Sequence, residues 1–348
     1  MGGTRKQGAT IREVAKLARV SQMTVSRVLN NNSLVKETTR DRVQAAMREL
    51  NYRPNIMARN LAGRSGLFIG LIYRNPSYGY LSEFLLGALS ACRKLGHYLI
   101  VEEPLSEDNM VDFDDIEKRF WDTSIQALIV VPPLSDDPKL ITTLERTGIP
   151  FVCVSPLLNS YSGPSVKMDD IAAAREMTQY LLSIGHKRIS LITGPPDHHS
   201  SALRLRGYSE AMQGAGQDID ESILLTGDFT YVSGMENAAE LFSHDNPPTA
   251  IFASNDDMAA GVIAAAHQAG LRVPQDISIV GFDDTKNASS VWPPLTTIRQ
   301  PIREMAAAAI ETLSRNGLPD VSPDSPDRML PYELVIRESS APPPSSEN

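Results

Sequence analysis

The sequence predicts an α/β protein: an N-terminal all-α helix-turn-helix head followed by a two-lobed, doubly wound body. Three observations carry this. Charge is segregated: residues 1–65 hold 13 Lys/Arg against 4 Asp/Glu, net +9, and the remainder holds 20 against 38, net −18. A basic module on an acidic body is the charge pattern of a nucleic-acid-binding head. In that module, capping signals and apolar spacing put two short helices around a turn of only Arg19 and Val20. From Leu67 onward, short β-rich apolar runs alternate with amphipathic helical runs. Such alternation builds parallel sheets from βαβ units.

The head begins with Thr10-Ile11-Arg12-Glu13, a capping box in which the Thr10 hydroxyl caps the N3 amide and Glu13 reaches back. Ile11, Val14, Ala15 and Ala18 follow at helical spacing. Ser21 is a second N-cap, before a run from Gln22 to Leu29 with Val25, Val28 and Leu29 on one side. Two helices with so tight a turn form a helix-turn-helix. A third helix runs from Lys36 or Glu37 to Leu50, burying Val43, Ala46, Met47 and Leu50, and Pro54 stops it. Residues 55–63 suit one more small helix, ended by Gly63.

In the body, strands are expected at Leu67–Tyr73, Tyr98–Val101, Ala127–Val131, Phe151–Val154, Ile189–Thr193, Ala250–Ala253 and Ile277–Phe282. Helices are expected near 81–95, 139–147, 170–184, 201–213, 232–243 and 257–269. Gly96, Gly148, Gly185 and Gly270 follow four of them, where a left-handed residue is wanted. The domains are therefore a head over 1–54, a hinge over 55–65, a body over 66–340 and a disordered tail over 341–348. Lobe 1 takes about 66–164 plus 296–325, and lobe 2 about 165–295 plus 326–340. Two such lobes leave a cleft at the carboxyl ends of their strands, where these folds bind ligands.

Composition excludes several classes. No apolar run approaches the ~20 residues that span a bilayer, and MGGTRKQGAT lacks the apolar core of a signal peptide. A cytoplasmic location without membrane contact is expected, and Cys92 and Cys153 suit it as reduced, buried filler. The cysteines and six scattered histidines show no structural-zinc spacing, so no metal or cofactor is expected. Asp197-His198-His199 follows Gly194-Pro195-Pro196 and reads as a loop at the cleft mouth. No nucleophile elbow, phosphate loop or dinucleotide fingerprint is present, so no catalytic residue is assigned. A transport receptor would share the body but would need export, and the head opposes it.

Val20-Ser21-Gln22-Met23-Thr24-Val25-Ser26-Arg27-Val28-Leu29-Asn30 closely resembles the recognition segment of the lactose/galactose/purine repressor family. Thr38-Thr39-Arg40-Asp41-Arg42-Val43, Leu50-Asn51-Tyr52-Arg53-Pro54-Asn55 and Ala58-Arg59-Asn60-Leu61 continue it in register. In the body, Ser201-Ala202-Leu203-Arg204-Leu205-Arg206-Gly207-Tyr208 resembles the family's effector-arginine helix. Phe252-Ala253-Ser254-Asn255-Asp256-Asp257-Met258-Ala259 and Val280-Gly281-Phe282-Asp283-Asp284 resemble its two cleft loops, and Pro294-Leu295-Thr296-Thr297-Ile298 its late crossover strand. The resemblance implies a body like type I periplasmic sugar-binding proteins and a ligand-responsive transcriptional regulator. Repression relieved by a sugar inducer is favoured; an activator or a corepressor-type regulator with a nucleobase ligand is the alternative. Lys36 departs from the Ser cap that many members carry. It cannot cap, but it can contact phosphate.

The resemblance also implies site residues. The recognition helix enters the major groove of operator DNA with its N-terminal side chains facing bases. Gln22 suits adenine, Met23 a thymine methyl and Arg27 a guanine. Thr10, Ser21, Thr24, Ser26, Asn30 and Lys36 bind phosphate or support the helix. In the hinge, Leu61 would wedge into the minor groove at the operator centre, with Asn55, Ala58 and Arg59 lining the same groove. Arg204, Asn255 and Asp283 are the polar effector contacts, with N-capping the other reading of Asn255. Phe229 would stack on the effector, and Tyr80 and Asp169 would face the cleft. A two-fold homodimer matches a pseudo-palindrome with half-sites about one helical turn apart.

Gln22→Ala should weaken binding by about 1–3 kcal/mol on the preferred half-site only. Lys36→Ala should weaken all sequences and lower the salt slope by about one. Binding to a half-site library at several salt concentrations checks both; equal losses on every variant for Gln22→Ala would remove it from the base readers.

Overall fold

The computed structural model describes residues 11–29, 35–50, 66–74, 76–102, 125–156, 161, 163–315 and 327–344. The chain divides into two compact units, Met1–Leu67 and Phe68–Asn348. The first contains α1 (Ile11–Ala18), α2 (Gln22–Leu29) and α3 (Glu37–Glu49). Val14, Ala15, Ala18, Val25, Val28, Val43 and Ala46 form its core. The turn between α1 and α2 is tight because Arg19 takes a left-handed φ of 54°. That returns the Val20 N–H to the Ala15 carbonyl at 3.0 Å.

The second unit holds two sheets. The first contains β1 (Phe68–Ile72), β2 (Tyr98–Glu102), β3 (Ala127–Val130), β4 (Phe151–Val154), β5 (Ser165–Lys167) and β11 (Arg328–Met329), in the order β11-β5-β4-β3-β1-β2, all parallel. Its helices are α4 (Tyr78–Leu95), α5 (Pro138–Thr147) and α11 (Ile302–Arg315), with α11 packed along α4. The second contains β6 (Ile189–Thr193), β7 (Leu224–Thr226), β8 (Ala250–Ala253), β9 (Ser278–Asp283), β10 (Thr296–Arg299) and β12 (Glu333–Val335), in the order β12-β10-β9-β8-β6-β7. Only β12 is antiparallel in it. Its helices are α6 (Asp170–Ser183), α7 (His199–Gly214), α8 (Tyr231–Phe242), α9 (Asp256–Gln268) and the short α10 (Lys286–Ser290).

Strand alternation explains the layering of the second lobe. Along β8, Ala250 and Phe252 pack with Met177, Leu181 and Tyr208 from the α6/α7 layer. Ile251 and Ala253 pack on the other side with Leu241, Met258 and Val262 from the α8/α9 layer. Gly96, Gly148, Gly185 and Gly270 all adopt positive φ. Among the described residues no helix is long and apolar enough to cross a membrane.

Three expectations are corrected. The lobe limits differ: Thr296–Arg299 pairs with β9 and belongs to the second sheet, whereas Ser165–Lys167 and Arg328–Met329 belong to the first. The chain thus crosses between lobes after β5, between β10 and α11, and between β11 and β12. The sequence signals neither the helices Lys286–Ser290 and Ile302–Arg315 nor the strands β5, β7, β11 and β12; these strands are two or three residues long. The tail is ordered at its start. The Ala341 N–H donates to Ser278 Oγ at 3.0 Å, and its carbonyl accepts from Ser278 Oγ and His186 Nε2, each at 2.9 Å. His186 is buried, also meets Thr249 Oγ1 at 2.8 Å, and burial holds its pKa below 6.5.

Ending the chain after Ser340 should therefore cost about 1–3 kcal/mol of unfolding free energy, because it strands buried polar groups. Ending it after Pro344 should cost almost nothing. Urea denaturation of the two truncations checks this, and equal midpoints would show that Ala341 anchors nothing.

Candidate functional site

In the head, Ser21 is the N-cap of α2. Its Oγ accepts the Thr24 N–H at 3.0 Å and meets Thr24 Oγ1 at 2.9 Å. With Val25 and Val28 in the core, helical phase turns Gln22, Met23 and Arg27 to solvent, and Met23 is 64% exposed. A methionine so placed covers no core, which leaves it available to a partner. Thr24 and Ser26 are half-buried. Lys36 is exposed and its carbonyl starts α3, accepting the N–H groups of Thr39 and Arg40 at 2.9 and 3.1 Å. Its side chain thus stands at a helix N-terminus. Thr10, Asn30, Asn55, Ala58, Arg59 and Leu61 lie outside the described residues.

In the body, a cavity of about 420 Å³ opens between the two lobes. Arg204, Asn255, Asp283, Phe229 and Tyr80 all line it. Arg204 projects from α7 and is 5% exposed. Its Nε donates to Asp170 Oδ1 at 2.9 Å, and its guanidinium lies 3.8 Å from the Phe282 ring centroid. Asn255 has two structural bonds besides its place in the lining. Its Oδ1 accepts the Met258 N–H as the N-cap of α9, and its Nδ2 donates to the Phe229 carbonyl, each at 2.9 Å. Asn255 thus caps α9 and also lines the cavity.

Asp283 ends β9 with φ 118° and is 4% exposed. Its Oδ1 accepts from Gln300 Nε2 at 2.6 Å. Burial pushes its carboxyl up to about 7; Arg204 and Gln300 oppose the shift, and Asp257 and Asp170 add to it. Tyr80 comes from lobe 1, and its phenol is raised by burial and then by Asp283 and Asp170. Phe229, at φ 66°, presents its ring to the cavity over Gly194, where a Cβ would come within 2.0 Å of the ring. Ser155, Phe229 and Asp283 are three lining residues with positive φ. Strained backbone of this kind gathers at ligand sites.

One assigned residue is misplaced. Asp169 is exposed and caps α6 by accepting the Ala172 N–H at 2.9 Å. Its neighbour Asp170 is the carboxylate that lines the cavity and pairs with Arg204. Burial raises Asp170, and Arg204 opposes that shift.

His198 and Gln300 were not assigned to the site. His198 is more than mouth: it is 3% exposed, lines the cavity and meets the Phe229 ring edge-on at 5.1 Å. Burial lowers its pKa to about 4, so the ring is neutral at pH 7. The run Asp197-His198-His199 was the available signal. Gln300, at the second lobe crossing, had none. Among the described residues no group of three or more His, Cys, Asp or Glu could hold a metal ion.

Comparison with known proteins finds matches to both parts of the chain. The family model for bacterial regulatory proteins of the lacI family matches residues 10–55, and the periplasmic binding protein-like domain model matches 178–340. The ribose operon repressor of Escherichia coli K12 is 34% identical over 305 residues, covering 88% of this chain and 92% of its own. A lac repressor dimer bound to operator and the anti-inducer ONPF superposes with a TM-score of 0.81 at 30% identity, over 96% of this chain and 100% of that one. A LacI family regulator from Enterococcus faecium with bound ribose gives 0.69 at 25% identity, over 79% and 99%. The chain therefore belongs to the LacI family of bacterial transcriptional regulators.

Proposed function

We propose that this chain is a cytoplasmic repressor that binds a pseudo-palindromic operator as a homodimer and is controlled by a neutral monosaccharide. The observation that carries the ligand class is the cavity itself. Two buried carboxylates, one guanidinium, two carboxamides, an imidazole and the rings of Tyr80 and Phe229 converge there from both lobes. Carboxylates accept sugar hydroxyls, a guanidinium donates to hydroxyl and ring oxygens, and aromatic faces cover the apolar side of a sugar. With two acidic side chains, Asp170 and Asp283, and a single guanidinium already paired with Asp170, the lining suits a neutral hydroxyl-rich ligand better than an anionic one. The ribose-linked relatives support the same class.

Gln22, Met23 and Arg27 are the base readers in this reading, Ser21, Thr24, Ser26 and Lys36 the phosphate and support positions, and Leu61 with Asn55, Ala58 and Arg59 the minor-groove segment. A sugar held by Tyr80 on one lobe and by Arg204, Asn255, Asp283 and Phe229 on the other favours one lobe arrangement. It can shift operator affinity only by that preference.

Selection from random duplexes should enrich a pseudo-palindrome. Fluorescence anisotropy on that duplex should show release by one of a set of monosaccharides, D-ribose among them. Release by purine bases and by no sugar would sink the ligand class.

Asp283→Asn should uncouple the sensor while leaving a sound fold, since asparagine tolerates positive φ and still accepts from Gln300. Arg204→Ala is the poorer probe, because it leaves Asp170 buried and unpaired. A carboxyl raised to about 7 in the fold binds more protons there than in the unfolded chain. Wild-type stability therefore falls as pH rises from about 4 through about 7 on this account, and Asp283→Asn removes that fall. The variant should gain roughly 2–4 kcal/mol over wild type at pH 8 and little at pH 4. Thermal melts across that range check it; a constant offset at every pH would show that Asp283 ionises normally.

A further inference from the structure

We propose that Asp257 is a positioning residue of the cavity: it latches lobe 2 to the first turn of α4 in lobe 1 and thereby sets where Tyr80 stands. The inference rests on reading the cavity as the effector site. Asp257 is in the first turn of α9. Its Oδ2 accepts from Ser77 Oγ at 2.9 Å and faces the Gly79 N–H at 3.5 Å; its Oδ1 accepts from Asn287 Nδ2 at 2.5 Å. Ser77 is 4% exposed, and its hydroxyl has a second task. It accepts the Tyr80 N–H at 3.3 Å as the N-cap of α4. One hydroxyl thus joins three things: a carboxylate of lobe 2, the start of a lobe 1 helix, and the backbone of a residue whose ring lines the cavity.

Two further contacts show that this is a fitted junction. At Gly79 the lobes approach so closely that a Cβ would stand 3.0–3.3 Å from three side-chain atoms of Thr285. A second bond between lobes joins Asp136 Oδ2, at the end of a 3-10 turn in lobe 1, to the His199 N–H at 3.0 Å. Each latch sets a lobe 2 element bordering the cavity against lobe 1. Each is made of a carboxylate with a neutral donor. Such a bond is stronger than one between two neutral groups.

The test uses the full chain without DNA or sugar. Ser77→Asp keeps a good N-cap for α4 and sets a second carboxylate against Asp257. Adding Asp257→Asn restores a donor across the junction. Labels at Lys139→Cys and Gln213→Cys, both exposed positions on opposite lobes, report lobe separation by electron-spin distance measurement. Cys92 and Cys153 are buried, and burial raises both thiols, so they stay unlabelled. Ser77→Asp should move the distance distribution to longer values, and the double variant should return it. A wild-type distribution for Ser77→Asp, or a double variant that stays open, overturns the latch. Titration with D-ribose and other monosaccharides reads the other proposal separately. If none binds, the effector reading fails while the distances still decide the latch.

Discussion

The buried ion pair between Arg204 and Asp170 is the constraint around which the second lobe is arranged. It joins α7 to the first residue of α6, and its guanidinium also covers Phe282 of β9 and donates to the Ser254 carbonyl beyond β8. Four elements therefore meet at one side chain, all at the carboxyl ends of the strands. Neither partner can be lost alone, since removing one leaves a buried uncompensated charge at a cost of about 3–5 kcal/mol. The pair also sets the cavity's electrostatics. Arg204 pulls the carboxyl groups of Asp170 and Asp283 back toward ionisation against the burial that raises them. The strained backbone at Asp283 persists because neighbours over-determine it. Thr285 N–H donates to Asp256 at 2.7 Å just beyond it, and Arg299 and Arg337 hold Asp284 at 2.7 and 2.6 Å.

Local signals made most of the fold legible. In the head, Ser21 and the Val25/Val28 spacing set the start and phase of α2, and the helix begins at Gln22. In the body, capping residues and C-terminal glycines act within one turn of where they sit, so the helices begin and end near the expected positions. The parts that were not legible depend on distant partners. Thr296 and Thr297 look polar for a central strand. They are buried because Thr296 Oγ1 is bonded by residues of the chain's end, at Arg337 and Ser340, and Thr297 Oγ1 by Asp256 at 2.7 Å. Nothing near 296 in sequence announces those partners, so the strand was placed in the wrong lobe.

The cavity was legible to a similar depth and for a similar reason. Arg204, Asn255 and Asp283 stand in motifs whose resemblance could be traced residue by residue, Phe229 and Tyr80 stand at positions the resemblance only implies, and the fold brings all five together. Asp169 and Asp170 show the resolution limit. Successive helical residues point about 100° apart, so a shift of one decides which carboxylate caps α6 and which is buried against Arg204. Sequence supplies both acids and not the phase. His198 was visible as a residue but not as a buried one, because its burial comes from Phe229, more than thirty positions away.

Gln300 explains why a ligand at Asp283 would be felt beyond its own lobe. With Pro301 it forms the link between β10 and α11, where the chain leaves lobe 2 for lobe 1. Its side chain donates to the Asp283 carboxylate at 2.6 Å, and its N–H donates to the Asp283 carbonyl at 3.2 Å. The strained strand end and the crossing are therefore one hydrogen-bonded unit. A ligand hydroxyl donating to Asp283 would compete with the proton that the carboxyl holds near neutral pH, and would change the bond from Gln300 from one with a neutral acid to one with an anion. Hydrogen bonds to an ionised acceptor are shorter and about twice as strong. Occupancy beside Asp283 would thereby be linked to the geometry of a lobe crossing, with no relay through the hydrophobic cores.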